Sequence, residues 1–479
     1  MTDIPTIRQT FANGLTALVR ASYNAPVATF WIWYRVGSRN ELPGNTGASH
    51  WVEHMLFKGT PRFGKGELDR RVAREGGMFN GMTWMDWTTY FETLPADRID
   101  LALDIESDRM VNALFEPDEF ESERTVIIAE REGSENHPMF LLAEEIQSSA
   151  IKAHPYHHEV IGWKSDLVTM TRDELFGHYR RHYHPANAVV VCVGPFEPAD
   201  MLATIERTFG AIPAGAPTAP VTMVEPPQRG ERRVSVEGVD ETAYVAVAYP
   251  APAATDPDYF AFQILDSILG GAKSMNLFGG DPTNRSSRLY KALVDTELAS
   301  GVSSGLAATL DPFLYSISAV VRSGADPMAV EAAITTEVER LRNEPVTAAE
   351  LARAVKQARA QFAYSAESVT DQGFWLGFAE VLADQAWLAE YLDRLAAVTV
   401  ADVSRVAERW LDARIRTVGH YVPAGDAVDN GDVIDDGDGI DDGDVIDDGD
   451  GIDEIDVLDE DVPDEELLDE DVLDEAVIP

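Results

Sequence analysis

The order of strand-like and helix-like segments occurs twice in this chain of 479 residues, on either side of a segment rich in proline, glycine and alanine. In the first half, residues 1–210, runs of β-branched and aromatic residues precede helical segments, and a final apolar strand covers Asn187–Val193. Residues 211–231 form the linker. The second half, residues 232–424, repeats this order and has a matching last strand at Ile415–Val422. The repetition predicts an α+β fold of two homologous domains.

A third segment, residues 425–479, differs from both halves in composition. The sequence GDVIDDGDGIDD at Gly431–Asp442 recurs almost unchanged at Gly443–Glu454, and from Asp426 onward there are 26 acidic residues and no lysine or arginine. High charge with few large hydrophobic side chains predicts a disordered, solvated tail. Calcium binding is the alternative, because aspartates supply the oxygen ligands that this ion takes.

The acidic character is not confined to this tail. Of the 83 acidic residues, 57 precede it against 38 basic residues, so the two halves carry a net charge of −19. A surface of this sign argues against nucleic acid as a partner, since phosphate binding needs a basic surface. It favours basic peptides as substrates, which long-range attraction would draw in.

The sequence carries no signal for secretion or membrane insertion. Met1–Pro5 lacks the basic and apolar regions of a signal peptide, and no run of 18 apolar residues occurs. The one cysteine, Cys192, lies in an apolar run and is expected to be a small buried side chain. We therefore expect a soluble, cytoplasmic protein that does not interact with membranes.

Two histidines with a glutamate between them lie in the apolar segment Gly47–Phe57. His50 and His54 are four residues apart, so on a helix they share one face and their imidazole nitrogens can converge on a metal. Glu53 lies beside that face, where a general base for a metal-bound water would be placed. The pattern H-x-x-E-H is typical of inverted zincins, although two ordinary histidines on a partly exposed helix remain the alternative.

A hydrolytic zinc site needs a third protein ligand and an open position for water. The segment Pro117–Gly133 is predicted to be helical, and it contains several acids that could supply the missing ligand: Glu119, Glu121, Glu123, Glu130 and Glu132.

Several motifs outside the histidine pair occur in the order found in one family of enzymes. They are Val36–Glu41, Met55–Thr60, Gly76–Thr83, Glu123–Glu130, Tyr183–Asn187 and Ser287–Tyr290. With them the chain resembles the pitrilysin or insulinase class of zinc peptidases over about residues 6–423, and most of all its small bacterial members similar to the mitochondrial processing peptidase β subunit. The resemblance implies two metallopeptidase (LuxS/MPP-like) domains in a clam-shell arrangement and one Zn²⁺ per chain.

The resemblance also implies roles for individual residues. Glu130 matches the family's third zinc ligand, and Glu123 matches a second acid beside the site, where it would orient a ligand. Glu53 would be the general base. Asn80 and Gly81 match the strand that pairs with the substrate backbone, although Asn80 is equally well explained as a turn residue.

The second half departs from the family pattern. Self-sufficient members have an arginine and a tyrosine there that help to bind substrate and stabilise the oxyanion, whereas Val294 or its neighbour and Ser300 stand at the matching positions. The sequence therefore predicts the zinc-bearing subunit of a heterodimer, with a second subunit that supplies the Arg–Tyr pair. A homodimer with another donor is one alternative. A non-catalytic scaffold member of the family is another, although the intact H-x-x-E-H motif argues against it.

Overall fold

The computed structural model describes residues 5–273 and 285–424. The acidic tail predicted over residues 425–479 lies outside the described residues, as does the segment 274–284. Within the described ranges, no helix is long and apolar enough to cross a membrane.

Two β-sheets organise the described chain. The first sheet has the strand order β1-β2-β6-β3-β5-β4 and the second has the order β7-β11-β8-β10-β9. The strands are β1 Ile7–Thr10, β2 Thr16–Ala21, β3 Val27–Tyr34, β4 Met78–Thr83, β5 Thr88–Pro95, β6 Ala188–Gly194, β7 Arg232–Gly238, β8 Tyr244–Ala251, β9 Ala299–Leu306, β10 Phe313–Val321 and β11 Thr417–Pro423.

The two sheets share one pairing scheme. In each, an early strand runs parallel to the last strand of its half, as β2 does with β6 and β7 with β11. That last strand is antiparallel to the next one, β3 or β8, and two further antiparallel strands complete the sheet. Among the described strands, only β1, paired to β2 beyond the Asn13-Gly14 turn, lacks a counterpart. The predicted α+β fold with two homologous domains is confirmed.

Fifteen α-helices pack around these sheets in the described ranges. They are α1 Ala48–Met55, α2 Glu67–Arg74, α3 Asp100–Asn112, α4 Pro117–Glu135, α5 Pro138–Ala150, α6 Lys164–Thr169, α7 Arg172–His182, α8 Pro198–Phe209, α9 Tyr259–Leu269, α10 Pro327–Asn343, α11 Ala348–Tyr364, α12 Val369–Leu382, α13 Gln385–Ala389, α14 Tyr391–Ala397 and α15 Val400–Trp410.

Strand β3 shows how the sequence selects the two faces of the first sheet. Its β-branched and aromatic residues suit a buried strand, and alternate side chains point to opposite faces. Phe30 and Ile32 pack with the helices of the first half, in one core with α1. Trp31 and Trp33 pack on the other face, in a core formed largely by the second half. The strand is therefore buried on both sides, which its almost unbroken apolar sequence reflects.

Each half covers one face of the other half's sheet with a helix. Helix α12 of the second half packs on β3 and β6, and helix α5 of the first half packs on β7 and β11. The exchange joins the halves through reciprocal helix-on-sheet contacts. It extends the internal duplication from the strands to the packing between the domains.

Two glycines allow α12 to approach the first sheet closely. A Cβ atom on Gly377 would lie 2.0 Å from Trp33 Nε1, and one on Gly373 would lie 2.5 Å from Trp31 Cδ1. Both tryptophans are fully buried, so their rings have little room to move. Residues as small as glycine are therefore required on this face of the helix.

We expect Gly377→Ala to lower the free energy of unfolding by about 1–3 kcal/mol, because the added methyl group overpacks the contact with Trp33. Urea unfolding followed by tryptophan fluorescence measures this change. Gly177→Ala in α7 is the matched control, since a Cβ atom there meets nothing within 4 Å. The control should be neutral or more stable, because alanine is the better helix former. Equal stability of the two variants would contradict the packing argument.

Candidate metal centre

The helix that carries the histidine pair is fixed at its N-terminus by the loop before it. Gly47 adopts a left-handed conformation (φ 88°) and precedes the first helical residue. The carboxylate of Glu41 accepts hydrogen bonds from the backbone N–H groups of Gly47 (2.8 Å) and Ser49 (2.7 Å). These bonds satisfy free N–H groups at the start of α1. The cap thereby sets the direction in which His50 and His54 project.

The side chains of His50, His54 and Glu130 converge at one point. The two Nε2 atoms are 3.2 Å apart. Glu130 on α4 places Oε1 3.8 Å from His50 Nε2 and Oε2 3.6 Å from His54 Nε2. They form a possible metal-binding group whose ligand atoms all lie within 4.8 Å of one another. The structure thus brings together the three residues that the sequence predicted as ligands.

The spacing of these three atoms fits zinc. Ligand atoms of a tetrahedral zinc site at the usual bond lengths lie about 3.3 Å apart, close to the separations found here. Two imidazoles and one carboxylate are also a known donor set for catalytic zinc, which leaves the fourth position open for water. The residues present therefore fit the metal.

Glu123 fixes the orientation of His54. Its Oε1 atom lies 2.7 Å from His54 Nδ1, and its Oε2 atom is paired with Lys58 Nζ. The bond leaves Nε2 of His54 free to face Glu130 and His50. Burial alone would lower the pKa of His54, but the hydrogen bond to Glu123 and the nearby carboxylates raise it overall. Glu123 therefore holds a ligand in place without itself reaching the ligand cluster.

His50 is neutral in this setting. Burial, followed by the proximity of His54, lowers the pKa of His50 to about 3. Its Nδ1 atom is buried and has no hydrogen-bond partner among the described residues. A neutral imidazole with its Nε2 atom turned toward a second imidazole and a carboxylate is in the state that binds a metal.

Glu53 lies beside the ligands, on the same helix, and is 9% exposed. The hydroxyl group of Thr83, at the end of β4, donates a hydrogen bond to Glu53 Oε2. Burial raises the pKa of Glu53 to about 7, although the hydrogen bond from Thr83 opposes this. The carboxyl group is thus placed next to the metal ligands with a proton affinity suited to exchange near neutral pH.

Asn80 and Gly81 lie on β4, which is the edge strand of the first sheet. Asn80 is exposed, and its Oδ1 atom accepts a bond from the Gly81 N–H group (2.9 Å). A Cβ atom on Gly81 would come within 3.0 Å of the Phe57 and Tyr90 rings. The edge of β4 that faces away from β5 has no partner strand within the described ranges.

A buried ionic cluster beneath this edge was not predicted from the sequence. Arg109 Nε donates to Glu106 Oε2 (2.7 Å), and Arg109 Nη2 lies 3.5 Å from Glu92 Oε1. The guanidinium also lies over the Tyr90 ring, 4.1 Å from its centroid. The spacing of Glu106 and Arg109, one helical turn apart among apolar residues, was the available signal. Their burial depends on β5 and could not be seen from the spacing alone.

The positions that lack the family's arginine and tyrosine lie just before and at the start of β9, the edge strand of the second half. Val294 ends a short π-helical turn, and Ser300 lies in β9, where its Oγ atom bonds to Val320 O (3.4 Å). Nearby, Arg288 Nε donates a hydrogen bond to Glu350 Oε1 on α11 (3.0 Å).

Sequence comparison agrees with the geometry. The profile described as "Insulinase (Peptidase family M16)" matches residues 16–163, and the profile described as "Peptidase M16 inactive domain" matches residues 169–358. The chain is 30% identical over 394 residues to the zinc protease PqqE of Helicobacter pylori, which covers 81% of this chain and 86% of that protein. The chain belongs to peptidase family M16.

Other proteins of similar sequence or structure agree with this assignment. The chain is 26% identical to the mitochondrial-processing peptidase subunit beta of Lentinula edodes, over 84% of this chain and 86% of that protein. A protease from Helicobacter pylori of known crystal structure has a TM-score of 0.83 at 28% identity, and the match covers 88% of this chain and all of that one. A peptidase M16 inactive domain from Pseudomonas fluorescens, with a TM-score of 0.78 at 20% identity, shares the fold.

Proposed function

We propose that this M16 chain is a zinc-dependent endopeptidase that hydrolyses peptides or unfolded segments. The observation that carries the proposal is the convergence of His50, His54 and Glu130 beside the carboxyl group of Glu53. Residues 1–210 form the zinc-bearing domain, residues 211–231 the linker, and residues 232–424 the domain without a metal motif. A tail at residues 425–479 completes the proposed organisation.

The proposed chemistry assigns one task to each side chain. His50, His54 and Glu130 would hold Zn²⁺, and the ion would supply Lewis-acid chemistry that lowers the pKa of water at the site and polarises the scissile carbonyl group. Glu53 accepts a proton from the attacking water and delivers it to the leaving amine nitrogen. A neighbouring cation favours the ionised form of a carboxyl group, so the filled site would supply Glu53 as the base at the start of the reaction.

Two further hydrogen bonds hold the side chains of His54 and Glu53 in position. Glu123 bonds to His54 Nδ1 and fixes the ring, and Thr83 bonds to Glu53 Oε2. The peptide binds as an added strand on the open edge of β4, where Asn80 and Gly81 offer backbone groups. Because Thr83 ends the same strand, the peptide backbone is brought alongside Glu53.

Removal of a ligand should remove the metal. We expect the purified wild-type chain to hold about one zinc and His54→Ala or Glu130→Gln to lose it or to bind it much more weakly, as measured by elemental analysis after dialysis. Glu132→Gln is the matched control, because Glu132 is on the same helix but is exposed and paired with Lys164. Retention of stoichiometric zinc by His54→Ala would contradict the assigned ligands.

We also propose that a second family member completes the active site. The proposal rests on Val294 and Ser300, which offer neither the guanidinium nor the phenol that self-sufficient members use. We expect weak cleavage of an unfolded peptide by the chain alone and a gain of about 10²–10³ when a family partner with the Arg–Tyr pair is co-expressed.

The same assay separates the alternatives. Full turnover by the chain alone would favour a homodimer with another oxyanion donor. Metal binding without turnover in either preparation would favour the scaffold role. The presence of Glu53 argues against that role, because a non-catalytic member has no need of a general base.

A further inference from the structure

The edge strand β4 presents two chemically different faces. Gly81 and Thr83 stand opposite Tyr90 and Thr88 in the ladder, and they face α1, as the Thr83–Glu53 bond shows. Met82 stands opposite Thr89 and packs against the core that contains α12 and the second half. Residues that alternate along β4 therefore face the metal centre and the second half in turn.

A peptide that pairs with β4 takes on the same alternation. Directly opposite residues in an antiparallel or parallel pair lie on one face of the sheet. Side chains of the peptide that stand next to Gly81 or Thr83 would face the metal centre. Their immediate neighbours would face the second half, on the side of Met82 and Trp84.

A cavity of about 230 Å³ lies on this second side, between the halves. Trp84, which follows β4 directly and is 39% exposed, lines it together with Trp87 from the first half. The buried rings of Phe374, Trp375 and Phe378 on α12 form part of its wall. A dry apolar cavity of about 150 Å³ already accommodates benzene, so this space is sufficient for one large side chain.

Polar side chains of the lining are hydrogen-bonded to each other or to the neighbouring residues Ser304 and Tyr315. Asp266 Oδ1 accepts bonds from Tyr315 Oη (2.9 Å) and from Ser304 Oγ. Lys273 Nζ donates to Ser304 Oγ (3.2 Å), and Tyr391 Oη donates to Gln263 Oε1 (2.9 Å). An apolar occupant leaves all these bonds intact and gains contact with the aromatic rings. A charged occupant would have to lose its hydration inside an aromatic wall.

We propose that this cavity is a specificity pocket for a bulky apolar side chain, aromatic or long aliphatic, of the peptide substrate. The residue it takes is a neighbour of one that faces the metal centre, so the preference falls at one position of the peptide and not at the two adjacent positions. The proposal rests on the proposed peptidase function, and it adds the class of substrate that the site selects.

The test is a positional scan of unfolded peptides that carry a single phenylalanine, leucine, lysine or aspartate in an otherwise constant alanine-rich sequence. The zinc-loaded full chain, with its partner subunit if the chain alone is weak, should cleave the phenylalanine or leucine peptide at least about tenfold more efficiently than the alanine peptide at one position, measured as kcat/KM. No such preference should occur at the two adjacent positions. Equal kcat/KM for apolar and charged residues at every position would overturn the proposal.

Filling the cavity provides a second test. Ala307→Trp places a large ring in the lining, and it should bring the ratio of kcat/KM for the phenylalanine and alanine peptides back toward one. Ala352→Trp is the matched control, because Ala352 is exposed on α11 and does not line this cavity. An unchanged ratio in a folded Ala307→Trp variant would overturn the proposal, and the wild-type scan decides the matter if that variant does not fold.

Binding measured without cleavage separates this inference from the peptidase function. Calorimetry with the zinc-loaded Glu53→Gln variant should give at least about tenfold tighter binding of the phenylalanine peptide than of the alanine peptide. Tight, selective binding with no cleavage by the wild type would count against the proposed reaction and in favour of the pocket. Cleavage by the wild type, with neither binding nor cleavage selective for phenylalanine, would support the proposed reaction and overturn the pocket.

Discussion

Glu53→Gln is expected to keep its zinc and to lose hydrolysis, with kcat/KM lower by about 10²–10⁴ than in the wild type. Glutamine has nearly the shape of glutamate, and the hydroxyl group of Thr83 can still donate to its side-chain oxygen. It cannot, however, take a proton from water at neutral pH. Peptide cleavage and zinc content measured on the same preparation separate loss of the base from loss of the metal.

The control for this variant is again Glu132→Gln, which changes an exposed acid on α4 that pairs with Lys164. It should retain both zinc and activity. Hydrolysis at the wild-type rate by Glu53→Gln would show that another group moves the proton. Loss of zinc from Glu53→Gln would instead show that Glu53 contributes to metal binding, and the reaction scheme would have to change.

Arg109→Met is expected to give the largest loss of stability, about 3–5 kcal/mol in the free energy of unfolding at neutral pH. Arg109 is 1% exposed, and Glu92 and Glu106 beside it are fully buried. Methionine fills much of the same space but supplies no charge, so the two acids lose their cation. Urea unfolding followed by circular dichroism measures the loss.

The loss should depend on pH with a definite sign. Burial and the nearby Glu106 already raise the pKa of Glu92 well above its usual value. Without Arg109, buried carboxyl groups have folded-state pKa values above the unfolded ones, so stability falls as the pH rises through the interval between the two. The deficit of Arg109→Met should therefore shrink at acid pH, below the ordinary pKa of glutamate, and grow toward neutrality.

A double variant checks the assignment to Glu106. Adding Glu106→Gln to Arg109→Met removes one buried charge and should recover part of the lost stability, since an uncompensated charge costs more than a neutral amide. No recovery, together with a loss that is the same at all pH values, would indicate that Arg109 acts by packing on the Tyr90 ring instead.

Most of the fold could be predicted from the sequence, because the patterns that indicate its strands, turns and helices are local. The Asn13-Gly14 turn, the apolar run at β3 and the repeated order of elements each follow from residues close together in the chain. Helix ends were less accessible. The sequence predicts helices over Arg285–Val294 and Phe374–Ala383, whereas the structure has a π-helical turn at Tyr290–Val294 and a helix α12 that starts at Val369. Tertiary packing and the Ser368 cap decide these ends.

The site divides in the same way. His50, Glu53 and His54 could be found because helical geometry alone places residues four apart on one face. Glu130 and Glu123 came from the family resemblance, since no local rule joins α1 to a helix more than sixty residues away. Lys58 and Thr83 lie within motifs shared with the family, but nothing in the sequence assigned them a contact, and the Arg109 cluster lies in no motif. They depend on where β4, β5 and α3 meet α1.

By itself, the sequence determined the secondary-structure order, the duplication and the pair of histidines, because each is specified by short-range periodicity and spacing. Only the tertiary structure decided that Glu130 Oε1 and Oε2 lie 3.8 and 3.6 Å from the two histidine nitrogens. It also decided that α12 packs on the sheet of the first half and α5 on the sheet of the second half, and that an aromatic cavity adjoins β4. These features arise from contacts between residues far apart in the chain, which depend on the packing of complete elements and not on local sequence.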